Sequence, residues 1–250
     1  MAISTNSIIH YTAESKALLG ILRQKGFIFS YCSEKLKTRE KKSYTAAIAM
    51  VSFCDIPISD YKKHFFNKKN TKDLGYYGDY GIGLSKNWAS RKGLNPVIYI
   101  DHNSHASHSF RKTYEDSLDE DKRIKNIDIS SSILYVKNYE GELKRKGDVV
   151  SKKYRFYDER EWRLVPKTTE IGNNAPVIDD GEYQKNRVYF NTQIEKFFLS
   201  FDFEDISYII VKETSEVKEI YNEMEQIFNK NISDLHLITV LTSEQIVGDF

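Results

Sequence analysis

The sequence predicts an α+β protein built around a mixed β-sheet. Strand-like apolar runs are scattered among helical segments, without the strict alternation that a parallel α/β fold requires. The most apolar run, "TAAIAMVSFCDIP" at residues 45–57, is typical of a central strand that is buried on both faces. The C-terminal part predicts a strand at "ISYIIV", an amphipathic helix from about Glu213 to Asn229, and a strand at "LHLITVL".

The chain shows no internal repeat and no low-complexity segment. We therefore interpret residues 1–250 as a single domain. The polar stretch 103–135 is predicted to be a helical insertion in it.

Charge and cysteine content exclude several classes of protein. The chain has 37 Lys and Arg residues against 36 Asp and Glu residues, so its total charge gives no footprint for nucleic acid or an anionic membrane. Cys32 and Cys54 lie 22 residues apart, which matches no zinc-binding spacing. The start "MAISTNS" lacks the basic and apolar parts of a signal peptide, and no window approaches eighteen apolar residues. These features predict a cytoplasmic protein without a membrane anchor.

The N-terminal "SIIHYT" at residues 7–12 predicts a strand with His10 near its end. Thr12 is placed to cap the following helix, whose apolar stripe is formed by Leu18, Ile21 and Leu22. A histidine in this position is either a packed core residue or the floor of a binding site, and the strand alone leaves both interpretations open.

A second polar segment, "YDEREWRLV" at residues 157–165, is predicted to be a strand of period two. Glu159, Glu161 and Arg163 then share one face, while Trp162 and Leu164 anchor the other face in the core. Two carboxylates on one face repel, which predicts a raised pKa for one of them. The alternative is a solvated face that carries a ladder of ion pairs.

Three further segments carry weaker signals. In "YGDYGIGLSKNW", glycines allow close approach of a ligand, and Tyr76, Tyr77 and Tyr80 could stack on a planar ring; the alternative is a turn with surface tyrosines. The basic and aromatic run 61–72 fits single-stranded nucleic acid or an amphipathic helix equally well. His102, His105 and His108 match no zinc pattern, so we expect an exposed polar loop and no metal.

Taken in order, these motifs resemble two families. The opening "IIHYTAESKALLGILRQKGFIFSY" resembles the start of ADP-ribosyltransferases of the DarT and related kinds, in which a strand with His-x-Thr leads into a helix and a second strand. "HYT", "SFCDIP", "YGDYGIGLSKNW" and "EREWR" resemble landmarks of the AbiGi abortive-infection family of phage-resistance proteins. The likeness covers roughly residues 7–165, and its specificity comes from the order of short motifs.

The first resemblance implies an ADP-ribosyltransferase-like split mixed β-sheet core with flanking helices, and NAD as substrate. It implies that His10 holds the NAD ribose, that Glu161 grips the ribose 2′-hydroxyl, and that Glu159 assists the acceptor. Such a reaction needs a placed negative charge beside the developing positive ribose and no metal. The NAD-binding residues implied are His10, Tyr11, Thr12, Tyr77, Tyr80 and Ser52.

The sequence departs from the transferase pattern at Gly83, which stands where related enzymes carry the stacking tyrosine, so Tyr77 or Tyr80 would have to supply the ring. The transferase interpretation predicts an anti-phage enzyme that modifies a protein or nucleic-acid acceptor. The alternative, which the AbiGi resemblance implies, is a non-catalytic antitoxin or phage-sensing module whose partner is a cognate toxin or a phage protein. Convergence of His10, Tyr77 or Tyr80, and Glu161 on one cleft favours the enzyme, whereas a Glu161 held in an ion pair favours the module.

Overall fold

The structure is a computed structural model, and it describes residues 5–37, 43–60, 78–116, 129–145, 148–231, 234 and 238–249. The strands in these residues are β1 (Ser7–Thr12), β2 (Gly26–Ile28), β3 (Ser30–Lys37), β4 (Ser43–Cys54), β5 (Tyr80–Ser85), β6 (Asn95–Pro96), β7 (Ile98–Ile100), β8 (Val136–Asn138), β9 (Gly141–Arg145), β10 (Asp148–Tyr154), β11 (Glu161–Leu164), β12 (Val177–Asp179), β13 (Phe198–Ser200), β14 (Ile206–Val211) and β15 (Thr239–Thr242).

The α-helices of the described residues are α1 (Ser15–Gln24), α2 (Lys86–Arg91), α3 (His105–Asp116), α4 (Asp180–Lys185), α5 (Arg187–Ile194), α6 (Val217–Phe228) and α7 (Ser243–Asp249). Short 3-10 helices include Ile129–Tyr135, Phe156–Glu159 and Thr214–Glu216. The expectation that Thr12 caps the first helix is wrong, because Thr12 still belongs to β1 and Glu14 occupies the N-cap position without a side-chain hydrogen bond.

Nine strands of the described residues form one sheet, in the order β15-β14-β5-β1-β4-β11-β6, with β3 and β12 also paired to β4. The 12-residue β4 has room for four neighbours, since its C-terminal end pairs with β1 and β11 and its N-terminal part pairs with β3 and β12. The β14–β15 pair is parallel and the other pairs of this sheet are antiparallel. The predicted α+β class with a mixed sheet is therefore confirmed.

One side of the sheet, here the front face, carries His10, Ile82 and Ile209, which lie opposite one another on β1, β5 and β14. Directly opposed residues of antiparallel strands place their side chains on the same face. Leucines of α1 and apolar residues of α6 cover this face and complete the main hydrophobic core. The front face therefore lies against the main hydrophobic core.

The other side, here the back face, carries Ile9, Gly83 and Tyr208, each one position away from a front-face residue. Ile9 and Glu161 both lie opposite Cys54, one on each side of β4. Glu161 is therefore on the back face as well. Smaller clusters cover this side, one around the 3-10 helix at residues 129–135 and one around Ile246 of α7.

The predicted strand over residues 157–165 is only partly correct. A strand forms at Glu161–Leu164, but the preceding residues form the 3-10 helix Phe156–Glu159, and Arg160 adopts a left-handed conformation with φ 43°. Trp162 and Leu164 do pack against the main core, as expected. The error arises because the alternation of charged and apolar residues carries no information about a local turn. Here the left-handed residue Arg160 separates the 3-10 helix from the strand.

The segment 103–135 contains α3 and the 3-10 helix Ile129–Tyr135, while residues 117–128 lie outside the described residues, so the helical insertion as a whole stays a prediction. In the part of the chain that the structure describes, no helix combines the length and the apolar character needed to span a membrane.

Candidate functional site

His10 is held on the front face by one hydrogen bond and two aromatic rings. Its Nδ1–H donates to the backbone carbonyl of Ser52 at 2.9 Å, which requires the proton to sit on Nδ1 because a carbonyl can only accept. The imidazole packs against Phe27 and Phe53, with ring centroids 5.0 and 5.6 Å away. Burial lowers the pKa of His10, and the bond to Ser52 opposes this only in part, so the ring is neutral at pH 7.

Glu161 is the centre of a chain of charges on the back face. One carboxylate oxygen accepts from Nε of Arg163 at 2.8 Å, and the other accepts from Nζ of Lys137 at 2.9 Å. Lys137 also reaches Glu159 at 2.9 Å, and Arg163 reaches Glu34 at 3.3 Å. These five residues, Glu34, Arg163, Glu161, Lys137 and Glu159, are called the ion-pair chain below.

The ion-pair chain is largely shielded from water. The Arg163 side chain is 0% exposed and that of Glu161 is 8% exposed. The Arg163 guanidinium also donates a hydrogen bond to the backbone carbonyl of Leu134 at 3.1 Å. The backbone N–H of Glu161 donates to the Tyr99 hydroxyl at 2.8 Å. Buried charges are tolerated only when they are paired and hydrogen-bonded in this way.

The electrostatics of the chain follow from these contacts. Burial alone would raise the pKa of Glu161, but Arg163 and Lys137 outweigh it and hold the pKa at about 2. Burial alone would lower the pKa of Lys137, and the carboxylates of Glu159 and Glu161 instead keep it well above its ordinary value. The raised pKa expected from mutual repulsion of the two glutamates does not occur at Glu161, because two cations lie between and beside the acids.

Three strands and a turn assemble this site. Glu161 and Arg163 are successive back-face residues of β11, Lys137 comes from β8, and Glu34 from β3. The left-handed residue Arg160 turns the chain sharply between the 3-10 helix and β11. This turn brings the Glu159 carboxylate back to the same lysine that Glu161 binds, so the two acids share one cation.

The three residues to which the transferase resemblance gives catalytic roles, His10, Glu159 and Glu161, lie on opposite faces of the sheet. Glu159 and Glu161 meet at Lys137 on the back face, whereas His10 projects from the front face. Ile9, the neighbour of His10, is the residue in register with Cys54 and hence with Glu161. The structure therefore brings the two glutamates together and separates both from the histidine by the thickness of the sheet.

The residues predicted to bind NAD are divided in the same way. Tyr80 and Thr12 are opposite each other and share the front face with His10, and the Tyr80 hydroxyl donates to Glu216 at 2.8 Å. Tyr11 lies on the back face beside Gly81, and Ser52 projects there opposite Arg163. Tyr77 and the basic run 61–72 lie outside the described residues. These described residues do not line one space for a dinucleotide, and the NAD site stays a prediction.

The structure explains why position 83 is a glycine, which the sequence alone did not reveal. The ring of Tyr208, from β14, lies over it so closely that an added Cβ would come within 2.7–2.9 Å of three ring atoms. Glycine in a strand often marks such a close approach, so the Gly81–Gly83 spacing was a usable signal for an overlying ring. An aromatic side chain thus occupies this position, supplied by a different strand.

Lys137 and Glu34 are the other residues that the sequence did not reveal. Each lies in a segment that reads as an ordinary mixed strand or loop, and neither is close to Glu161 along the chain. On the face predicted for this segment, Glu159 and Glu161 outnumber the single Arg163, and this excess of acid was the available signal that a further cation must lie nearby.

A small cavity borders the ion-pair chain, between Glu34, Leu36, Ile48 and Leu134. Its volume is about 30 Å³. This is enough for a water molecule, whereas pockets for small ligands typically hold hundreds of Å³. Both carboxylate oxygens of Glu161 are engaged and its pKa is held low, so Glu161 does not accept a proton near neutral pH.

Comparison with known proteins places the chain in a family. Residues 25–212 match the family profile described as "Putative abortive phage resistance protein AbiGi, antitoxin". The chain is also similar to the abortive phage resistance protein AbiGi of Lactococcus lactis subsp. cremoris, with 29% identity over 182 residues, which is 66% of this chain and 71% of that protein. No solved structure matches it. Since the family profile covers most of its length, this chain belongs to the AbiGi family of abortive phage resistance proteins.

Proposed function

We propose that this protein acts in abortive phage resistance as an antitoxin-type binding module, which works by holding a cognate toxin and does not cleave NAD. The family description supplies the general role and the word antitoxin. The observation that carries the proposal is the engagement of Glu161, the carboxylate that a transferase would require, by Arg163 and Lys137 at 2.8 and 2.9 Å.

The chemical reason is electrostatic. A transferase stabilises the positive ribose of its transition state with a carboxylate whose field points at the substrate. Two cations in direct contact with Glu161 cancel that field within a few ångström. Releasing the carboxylate would also leave Arg163 buried and unpaired, which is costly. Glu161 is therefore better suited to holding β11, β8 and β3 in fixed relation than to catalysis.

A binding module needs such a rigid frame, because its contact surface must be formed before the partner arrives. The ion-pair chain joins β3, β8, β11 and the 3-10 helix Phe156–Glu159 without needing a ligand. The region matched by the family profile contains the whole chain of charges and begins after His10.

The test is co-expression of this protein with the product of the gene adjacent to its own, with bacterial growth as the readout. We expect the neighbouring product to be toxic alone and neutralised by the wild type. The Glu161→Gln variant should neutralise to the extent that it remains folded, as judged by circular dichroism. Glu223→Gln, which removes a carboxylate from an exposed ion pair with Arg23, is the matched control. Loss of neutralisation by a fully folded Glu161→Gln protein would contradict a purely structural role.

The ADP-ribosyltransferase interpretation is a second candidate, and the closeness of the Glu159 and Glu161 carboxylates favours it, because that interpretation assigns both acids to one site. It predicts label transfer from NAD to a protein or nucleic-acid acceptor in an extract, or release of nicotinamide, that Glu161→Gln abolishes. Absence of both signals from folded wild-type protein, together with neutralisation in the growth assay, would leave the binding module as the function.

A further inference from the structure

The two-stranded ribbon formed by β9 and β10 is rich in basic residues, and the proposed function does not use it. Counted with Arg155, its described residues carry five Lys and Arg against two Asp and Glu, whereas the whole chain has a net charge of only +1. Positive charge is thus concentrated here and diluted elsewhere. A local patch of this kind is invisible in the total charge.

Three cations of this basic ribbon are exposed to solvent. Lys152 and Lys153 are exposed, the latter with 78% of its side chain accessible, and Arg155 is 57% exposed. Lys153 contacts Glu140 only at 3.6 Å, and Arg155 contacts Asp158 only at 3.8 Å. Long, exposed ion pairs of this type contribute little, so an incoming phosphate can compete for both cations.

The ribbon is shaped as well as charged. The register shifts between Val149 and Ser151 and again between Ser151 and Tyr154, so β10 bulges twice against β9. Bulges bend and twist a ribbon, and the second one contains both lysines. Both lysines therefore lie in the bulged part of β10. Leu143, in β9, is buried.

Aromatic rings lie at the base of the ribbon. Tyr157 is 48% exposed, an unusual degree for a large ring, and is backed by Tyr99 and Tyr139 at centroid distances of 5.3 and 5.6 Å. The Arg155 guanidinium lies 5.9 Å from the Tyr139 ring centre. A supported, exposed aromatic beside lysines and an arginine is the combination that proteins use to stack a base while holding the neighbouring phosphates.

We propose that the basic ribbon, with Tyr157 at its base, binds single-stranded nucleic acid. Lys152, Lys153 and Arg155 contact phosphates, and Tyr157 stacks on an unpaired base. A duplex fits less well, because its bases are already stacked and would not cover the exposed tyrosine face. This inference goes beyond the proposed function, since it assigns the protein a second kind of partner on a separate surface.

Fluorescence anisotropy with labelled oligonucleotides of about twelve residues tests the proposal, because single-strand sites typically span 4–16 nucleotides. RNA and DNA single strands and a DNA duplex are the three probes. We expect single strands to bind and the Lys152→Gln/Lys153→Gln variant to bind about tenfold more weakly at low salt. Its slope of log affinity against log salt should be shallower by about 1.4, since each phosphate contact to a single strand contributes about 0.7.

Two variants separate stacking from charge. Tyr157→Ala should weaken single-strand binding at least about fivefold, whereas Tyr157→Phe, which keeps the ring, should bind like the wild type. The matched control is Lys16→Gln/Lys218→Gln, which removes two exposed lysines from α1 and α6 and should leave affinity and salt slope unchanged. A salt slope identical in the ribbon variant and the control, a preference for the duplex, or no binding to any probe by folded protein would each overturn the proposal.

Discussion

His10 and Glu161 both lie in the large sheet, on opposite faces, and their buried polar groups are stabilised in different ways. His10, on the front face, is neutral, held by one bond to a backbone carbonyl and two phenylalanine rings. Glu161, on the back face, stays ionised because two buried cations surround it. A neutral buried group needs a hydrogen-bond partner, whereas a buried charge also needs counter-charges, which must themselves be paired.

This difference predicts different responses to mutation and to acid. Removing one member of the ion-pair chain leaves its partners as buried charges without a counter-charge, so the free energy of unfolding falls by more than the removed contact alone. Removing His10 costs one hydrogen bond and some packing. The four experiments below probe this contrast in order of expected effect.

The largest effect is expected for Arg163→Ala. Glu161 and Glu34 would both lose their guanidinium partner, and the Leu134 carbonyl would lose a donor. The free energy of unfolding should fall by about 3–5 kcal/mol, the usual cost of breaking a buried ion pair from one side. Urea denaturation measures it. Arg23→Ala, which removes an exposed arginine from its pair with Glu223, should cost less than about 1 kcal/mol. Similar losses in the two variants would mean that the chain is not effectively buried.

The second largest effect is expected from acid, because protonation of Glu161 on the back face should lower the free energy of unfolding. The folded pKa of Glu161 is about 2 against an ordinary 4.5, so its stabilising contribution is complete above pH 4.5 and is lost as pH falls from there toward 2. At about 1.4 kcal/mol per pKa unit, the loss approaches about 3 kcal/mol. The difference in unfolding free energy between wild type and Glu161→Gln should therefore shrink across this window. A difference that stays constant between pH 5 and pH 2.5 would contradict the ion-pair assignment.

Gly83→Ala tests the overlap of Gly83 and Tyr208 on the back face. The new methyl group would lie 2.7–2.9 Å from the Tyr208 ring, which must move. We expect a loss of about 1–3 kcal/mol, the range for overpacking. Gly20→Ala is the matched control, because a Cβ there meets nothing within 4 Å and a helix favours alanine. It should be neutral or stabilising in thermal unfolding, and an equal loss at both sites would refute the steric explanation.

His10→Phe should have the smallest effect, about 1 kcal/mol for the lost hydrogen bond. Because the folded pKa of His10 is lowered from 6.5, its contribution is present above pH 6.5 and is lost as pH falls below that value. The wild type should therefore lose stability relative to His10→Phe between pH 7 and pH 5, a window separate from that of Glu161. A variant whose stability runs parallel to that of the wild type through this range would show that His10 is not held neutral.

The outcome for individual residues shows where sequence reasoning reaches its limit. The strand containing His10, the buried strand β4 and the helix after "ISYIIV" were predictable, because periodicity and continuous hydrophobicity depend on neighbours in the chain. The pairing of Glu161 with Lys137 was not, since those residues lie on separate strands that meet only through long-range contacts. The Glu159 position was misjudged for a related reason, because the left-handed turn at Arg160 breaks the assumed alternation.

The sequence by itself determined the α+β class, the polar character of residues 157–163 and, through motif order, the resemblance to AbiGi. These properties are local or additive along the chain. Only the tertiary structure decided that Glu161 is neutralised by two cations and that His10 projects from the opposite side of the sheet. The physical reason is strand register, since shifting a pairing by one residue exchanges the two faces of a strand and thereby decides which charges meet.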